Sequence, residues 1–192
     1  VQIFVDCSAS MGRDNPQKAA YAIGTAAALG FLAVQDMDKV SFNIMQGTHS
    51  DNPFGTIIGK KAFFRAISEL EEFAFDQDAD IEECVKNCPD TSTGNGLTII
   101  ISDFFTESNW KKAVDYLLYK RRQVLLVQVM TPDEADPAYD GRVSLIDSES
   151  VDTSDTKNIK IRITRSMQQA YAEAMADFKK DMHDFCVRRG VD

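Results

Sequence analysis

The sequence predicts an α/β layer fold built on a largely parallel sheet. Short apolar runs such as "LTIIIS" and "QVLLVQVM" read as strands covered on both faces. Segments with apolar residues at helical spacing lie between them. The order along the chain is strand, helix, strand pair, helices, strand, helix, strand, edge hairpin, helix. Such alternation implies crossover connections and hence parallel strands.

Composition sets the outer bounds. A chain of 192 residues suits one compact domain spanning 1–192. With 44% apolar and 27% charged residues, close to ordinary globular usage, disorder over the whole length is not expected. No apolar stretch approaches the roughly 20 residues of a membrane span. The nearest, "AAYAIGTAAALGFLAV", is Ala-rich, carries Tyr21 and Thr25, and reads as a buried helix. Thirty acids against 21 bases give a net charge of −9. That argues against nucleic acid, whose phosphates are neutralised by Lys and Arg, and against an anionic membrane surface. Cys7, Cys84, Cys88 and Cys186 form no CxxC pair, so a zinc site is not expected. Low cysteine density points to a reducing, cytoplasmic setting, with the thiols as small apolar fillers. The chain opens inside a strand pattern, and the expectation is a piece of a longer protein whose N-terminal region, with any anchor, lies upstream.

Each element has a local reason. Residues 1–6 are an apolar run ending at Asp6, and 7–14 read as a polar loop. Asn15-Pro16 starts a helix, because Pro is tolerated at the first helical position, and the helix runs to about Gln35. Its Gly and Ala content predicts close approach to a sheet. Val40, Phe42 and Ile44 alternate as a strand, with "FGTIIG" as hairpin partner or neighbour. His49 falls in a polar loop. Phe63, Ile67, Leu70 and Phe73 then recur at helical spacing, and an acidic helical piece covers roughly 79–87. "CPDTSTGNG" is a loop of turn formers before the strand ending at Ser102-Asp103. Ser108 is placed to cap a helix carrying Trp110, Val114 and Leu117. "TPDEADPAYDG" reads as a loop, and "RVSLID" with "NIKIRI" as an antiparallel pair at a sheet edge. Ser166 and Gln169 suggest a capping box for the last helix, with Met167, Tyr171, Met175, Phe178, Met182 and Phe185 as its apolar stripe and Gly190 as its stop.

Chemistry concentrates where strands end. Asp6-x-Ser8-x-Ser10 offers only oxygen donors, which suit hard cations such as Mg²⁺, Ca²⁺ or Mn²⁺. Alternate spacing in a tight loop can aim all three side chains at one point. In parallel α/β sheets, ligands bind beyond the carboxyl ends of the strands, where Asp6 and Asp103 both fall. On neighbouring strands they would share one rim and one ligand. The blander reading is that a strand-end Asp merely caps a turn.

With these residues in view, "DCSASMG" resembles the metal-ion-dependent adhesion site of von Willebrand factor A-type domains, and "IIISDFF" is similar to their fourth-strand segment. Pro132-Asp133-Glu134, Gly141 and Asp147-Ser148-Glu149 narrow the resemblance to a bacterial branch, the domain-of-unknown-function family fifty-eight. The resemblance implies a Rossmann-like sheet with helices on both faces. It also implies a divalent cation held by Ser8 and Ser10, with Asp6 and Asp103 partly through water. One position departs: where such domains carry a Thr, "QDADIEE" has Ala79, so Asp78, Asp80 or water would take the place of a hydroxyl. The alternative is that 76–83 is a solvated acidic loop.

The function expected is that of a protein-binding module, not an enzyme. The rim cation, Mg²⁺ first, would take an acidic side chain of a partner protein. The resemblance implies a MoxR-type AAA+ ATPase as that partner, with the chain as adaptor or assembly factor. No nucleic acid or direct membrane contact is expected. Two alternatives remain. A metal-dependent phosphohydrolase would need a base, yet His49 and His183 read as structural or solvent-facing and Ser8 has no His beside it. A metal-free interaction domain would use an apolar or edge-strand surface.

Overall fold

A computed structural model of the chain describes residues 1–13, 16–89, 95–106, 108–136, 141–145 and 159–192. They fall into two compact units, Val1–Val129 with Val191–Asp192, and Met130–Gly190.

In the first unit β1 (Gln2–Asp6), β2 (Ser41–Gln46), β3 (His49–Asp51), β4 (Leu97–Ser102) and β5 (Gln123–Gln128) form one sheet in the order β3-β2-β1-β4-β5. β1 runs parallel to β2 and β4, and β4 parallel to β5, while β3 folds back antiparallel on β2. The continuous apolar runs have the expected cause: β1 is buried at every residue, and β4 at all but its first. β5 is more open, with Val124 its buried residue, because it lies at the sheet margin. The backbone of Asp192 occupies its outer edge, donating to Val124 O and accepting from Leu126 N.

Helices α1 (Ala9–Gly12), α2 (Pro16–Gln35), α3 (Lys60–Leu70), α4 (Ile81–Lys86) and α5 (Trp110–Tyr119) complete this unit. α2 packs on β1, β4 and α3; α4 packs on β2, β3 and α5. One core joins Ile3, Val5, Phe42, Ile44, Ile99 and Ile101 to the inner sides of α2 and α3. Gly30 permits the close approach that the composition of α2 predicts. A Cβ there would lie 2.9 Å from Phe63 Cε2 and 3.0 Å from Phe42 Cζ.

Local signals misled at several points. The 7–14 stretch is not all loop, since Ala9–Gly12 is a helical turn. The hairpin partner of β2 is His49–Asp51, so His49 lies in a strand, while of "FGTIIG" only Ile57 makes an isolated bridge, to Val40. Asn109, not Ser108, precedes α5. The Ser108 hydroxyl instead accepts the Ile81 N–H at 3.2 Å, a remote donor that spacing cannot reveal.

In the second unit α6 (Pro132–Ala135) stands where a loop is expected, held by a capping box between Thr131 and Glu134. β6 (Gly141–Leu145) and β7 (Ile159–Ile163) pair antiparallel as predicted, but as a two-stranded sheet of their own rather than an edge of the large sheet. α7 (Arg165–Arg189) is capped by Thr164, not Ser166, and ends at Gly190 in the left-handed region at φ 65°. Of its predicted stripe, Met175 and Phe185 are buried, while Met167 and Tyr171 are exposed. The Tyr171 hydroxyl donates to Glu134 O at 2.6 Å. Asn15, residues 90–94 of the turn-rich loop, and Asp147-Ser148-Glu149 lie outside the described residues.

Candidate functional site

From β1 the chain crosses to β2 on one side, while β4 joins on the other. This reversal opens a crevice beyond the carboxyl ends of β1 and β4, the usual ligand position in open parallel sheets. Asp6 ends β1, and Asp103 follows β4 directly. Strand pairing therefore places both predicted aspartates on one rim, and both are buried.

The loop after β1 is shaped by its own polar groups. The Ser8 N–H donates to Asp6 Oδ1 at 2.9 Å, turning the chain back over the strand end. Ser8 precedes α1 but makes no side-chain capping bond. Its hydroxyl lies 3.1 Å from that of Ser10 instead. Gly12, at the end of α1, has no room for a side chain, since a Cβ would meet that of Phe75 at 2.4 Å.

The loop after β4 repeats this economy. Ser102 donates its hydroxyl to Asp6 Oδ2 at 2.5 Å and accepts the Phe104 N–H at 2.9 Å. Asp103 Oδ1 accepts the Phe105 N–H at 2.8 Å. Phe104 sits at φ 61°, a conformation bulky residues rarely adopt. Its buried ring, edge-on to Trp110 at 5.6 Å, helps hold it there. Asp103 Oδ2 receives the ammonium of Lys18 at 2.7 Å.

A third segment lies alongside. Gln77 bridges to Ser8 and accepts the Ala9 N–H at 2.7 Å; Ala79 bridges to Gly47 beyond β2. The Asp78 carbonyl accepts the Gly47 N–H at 2.5 Å, and Asp78 is exposed. Asp80 caps α4, its Oδ1 accepting the Glu83 N–H at 3.0 Å. The half-buried Ala79 thus stands in the segment stitched to the serine loop, at the position where a Thr is expected.

Electrostatics fit the same picture. Burial holds the Asp6 carboxyl above its ordinary value, against the bonds from Ser102 and Ser8, and the charge of Asp103 pushes the same way. Burial likewise pushes the Cys7 thiol up, and Cys84 up to about 12, with the nearby Asp6 charge contributing to both.

The donor set fits a hard cation. Among the described residues, no group of three or more His, Cys, Asp or Glu side chains is placed to hold a metal ion, so hydroxyls would have to serve. Adjacent ligands of an octahedron at about 2.1 Å from its centre are about 3.0 Å apart. The serine hydroxyls match that edge at 3.1 Å. A cation would also relieve the cost of two buried carboxylates on one rim.

The sequence reading missed Ser102 and Lys18. Ser102 carried a signal, a hydroxyl beside the strand-end Asp. Lys18 carried one too: it is the sole charge in α2 and falls on the same stripe as Ala22, Ala26 and Gly30.

Solved structures share the architecture. An aerotolerance-related membrane protein from Bacteroides fragilis NCTC 9343, solved with multiple mutations to serines, is 19% identical with a TM-score of 0.54, covering 90% of this chain and 85% of that one. The conserved hypothetical protein BatB from Bacteroides thetaiotaomicron is 17% identical with a TM-score of 0.56, covering 96% of this chain and 97% of that one. At such identity the likeness is one of fold, and it fits a von Willebrand factor A-like α/β sheet. Among curated proteins, none matches the chain significantly. The family described as "Protein of unknown function DUF58" matches over residues 1–181, and the chain belongs to that family.

Proposed function

We propose that the chain is a protein-binding module whose sheet rim holds a divalent cation, Mg²⁺ first, with Ca²⁺ and Mn²⁺ as alternatives. Ser8 and Ser10 would supply hydroxyl ligands, and Asp6 and Asp103 the balancing charge. Asp78 and Asp80 flank the missing Thr position, and because Asp80 is engaged in capping α4, Asp78 is the carboxylate left there for the cation. An acidic side chain of a partner protein would complete the coordination. The observation that carries this reading is the hydroxyl pair, 3.1 Å apart, on the rim that ends in Asp6 and Asp103.

A role as adaptor or assembly partner of a MoxR-type AAA+ ATPase rests on the family resemblance alone. We read the module as non-catalytic, because the hydroxyl partner of Ser8 is Ser10 rather than an imidazole, and His49 and His183 lie in β3 and α7. We place it in the cytoplasm. Its four cysteines are free thiols, as a reducing compartment requires, and no helix among the described residues is long and apolar enough to cross a membrane. One similar structure is described as a membrane protein, which supports attachment of a longer chain to a membrane.

Calorimetry with Mg²⁺, Ca²⁺ and Mn²⁺ tests the cation. Binding by the wild type that is lost in Ser10→Ala supports the site. No heat with any of the three tells against the cation and favours a metal-free interaction domain. Capture of a partner from native lysate, with and without chelator, then tests metal-dependent recognition.

A further inference from the structure

One charged group at the rim has no role in that reading. Lys18 is the sole charge in the 20 residues of α2. A surface lysine would leave its ammonium in water, yet its side chain is 1% exposed and that of Asp103 is 4% exposed. Its Nζ lies 2.7 Å from Asp103 Oδ2 and 3.4 Å from the Ser10 carbonyl. It therefore spans the loop after β1 and the loop after β4, the same two segments that a divalent cation would join.

We propose that Lys18 is a tethered cation that balances the rim in the absence of metal and competes with a divalent cation for Asp103. The inference rests on the metal-binding reading above and adds the element that sets its affinity. The reasoning is one of charge. Asp6 and Asp103 bring two buried negative charges to the rim, and the buried Lys18 brings one positive. A divalent ion added beside the ammonium would leave positive charge in excess there, and unbalanced buried charge is costly. Moving the ammonium off Asp103 lets a divalent ion balance both carboxylates. Wild-type affinity for metal is thus reduced by the work of displacing Lys18.

The test is calorimetry with Mg²⁺ on the wild type, Lys18→Met and Lys18→Gln, with thermal unfolding in chelator and in Mg²⁺ as a second readout. The expected result is that both variants bind Mg²⁺ at least about tenfold more tightly than the wild type. Their melting temperatures should fall in chelator and recover with Mg²⁺, while that of the wild type shifts little. Metal binding by the wild type that is equal or weaker in the variants overturns the competition and leaves the metal site standing. No binding by the wild type or by folded variants overturns the metal reading, and this inference with it. Should Lys18→Met unfold even in Mg²⁺, Lys18→Gln, which keeps an N–H donor at that position, is judged by the same criterion.

Discussion

The Ser102 hydroxyl donates to Asp6 Oδ2 at 2.5 Å across the β1–β4 pair, and both residues are buried. One side chain thereby braces the first rim carboxylate, while its oxygen also takes the Phe104 N–H of the second loop. Ser102→Ala leaves a buried carboxylate oxygen and a buried N–H without this partner. The expected loss is about 2–3 kcal/mol in urea unfolding at an unchanged m-value. Divalent-cation affinity should fall as well, because Asp6 would no longer be held in place. A stability within error of wild type would show that the bond contributes nothing net.

Ala79 stands in the segment bridged to Gly47 and, through Gln77, to the serine loop. Ala79→Thr supplies the hydroxyl that the resembling domains carry there. Calorimetry should then show Mg²⁺ binding tightened by about fivefold, the worth of roughly one added hydrogen-bond-strength contact. Unchanged affinity would mean that residue 79 does not reach the cation.

A Cβ on Gly30 would stand 2.9 Å from Phe63 Cε2, closer than Cβ atoms normally come, and 3.0 Å from Phe42 Cζ, at the tight end of such contacts. Both rings are core residues with little freedom to yield, at 2% and 0% exposure. Although Ala is the better helix former, Gly30→Ala should destabilise by about 1–3 kcal/mol through overpacking. A melting temperature at or above wild type would show that α2 can move off the sheet.

Thiol reactivity should separate the cysteines. Cys7, Cys84 and Cys88 are buried, and Cys186 is partly exposed. With the Cys84 thiol pushed up to about 12, its thiolate fraction at pH 8 is on the order of one in ten thousand. A thiol reagent at that pH should titrate Cys186 first in the native protein and the other three only in denaturant. Raising the pH towards 9 should not admit Cys7, whose thiol burial pushes higher still. Rapid native modification of Cys84 would contradict the packing of α4 on the sheet.

Much of this was legible in the residues. β1, β4 and β5 announced themselves as unbroken apolar runs, α2 by Pro16 and its Ala-rich face, and α7 by its stop at Gly190. These signals are local and repeat over many residues, so noise at one position does not erase them. The failures fell where one bond decided an outcome. By position Ser108 would cap its own helix, but its hydroxyl accepts the Ile81 N–H. The capping role expected of Ser166 belongs to Thr164. β6 and β7 pair as their alternation predicts, but alternation does not say which sheet receives them.

The sequence by itself determined the α/β class and the chemical character of the rim, because strand-end Asp and Ser are oxygen donors wherever they are placed. Only the tertiary structure decided that β1 and β4 are neighbours, that Ser102 braces Asp6, and that Lys18 reaches Asp103 from a helix 85 positions away in the chain. The reason is physical. Periodicity and residue chemistry are short-range properties written along the chain, whereas the pairing of two buried charges depends on which surfaces the collapsed sheet brings together and closes to water.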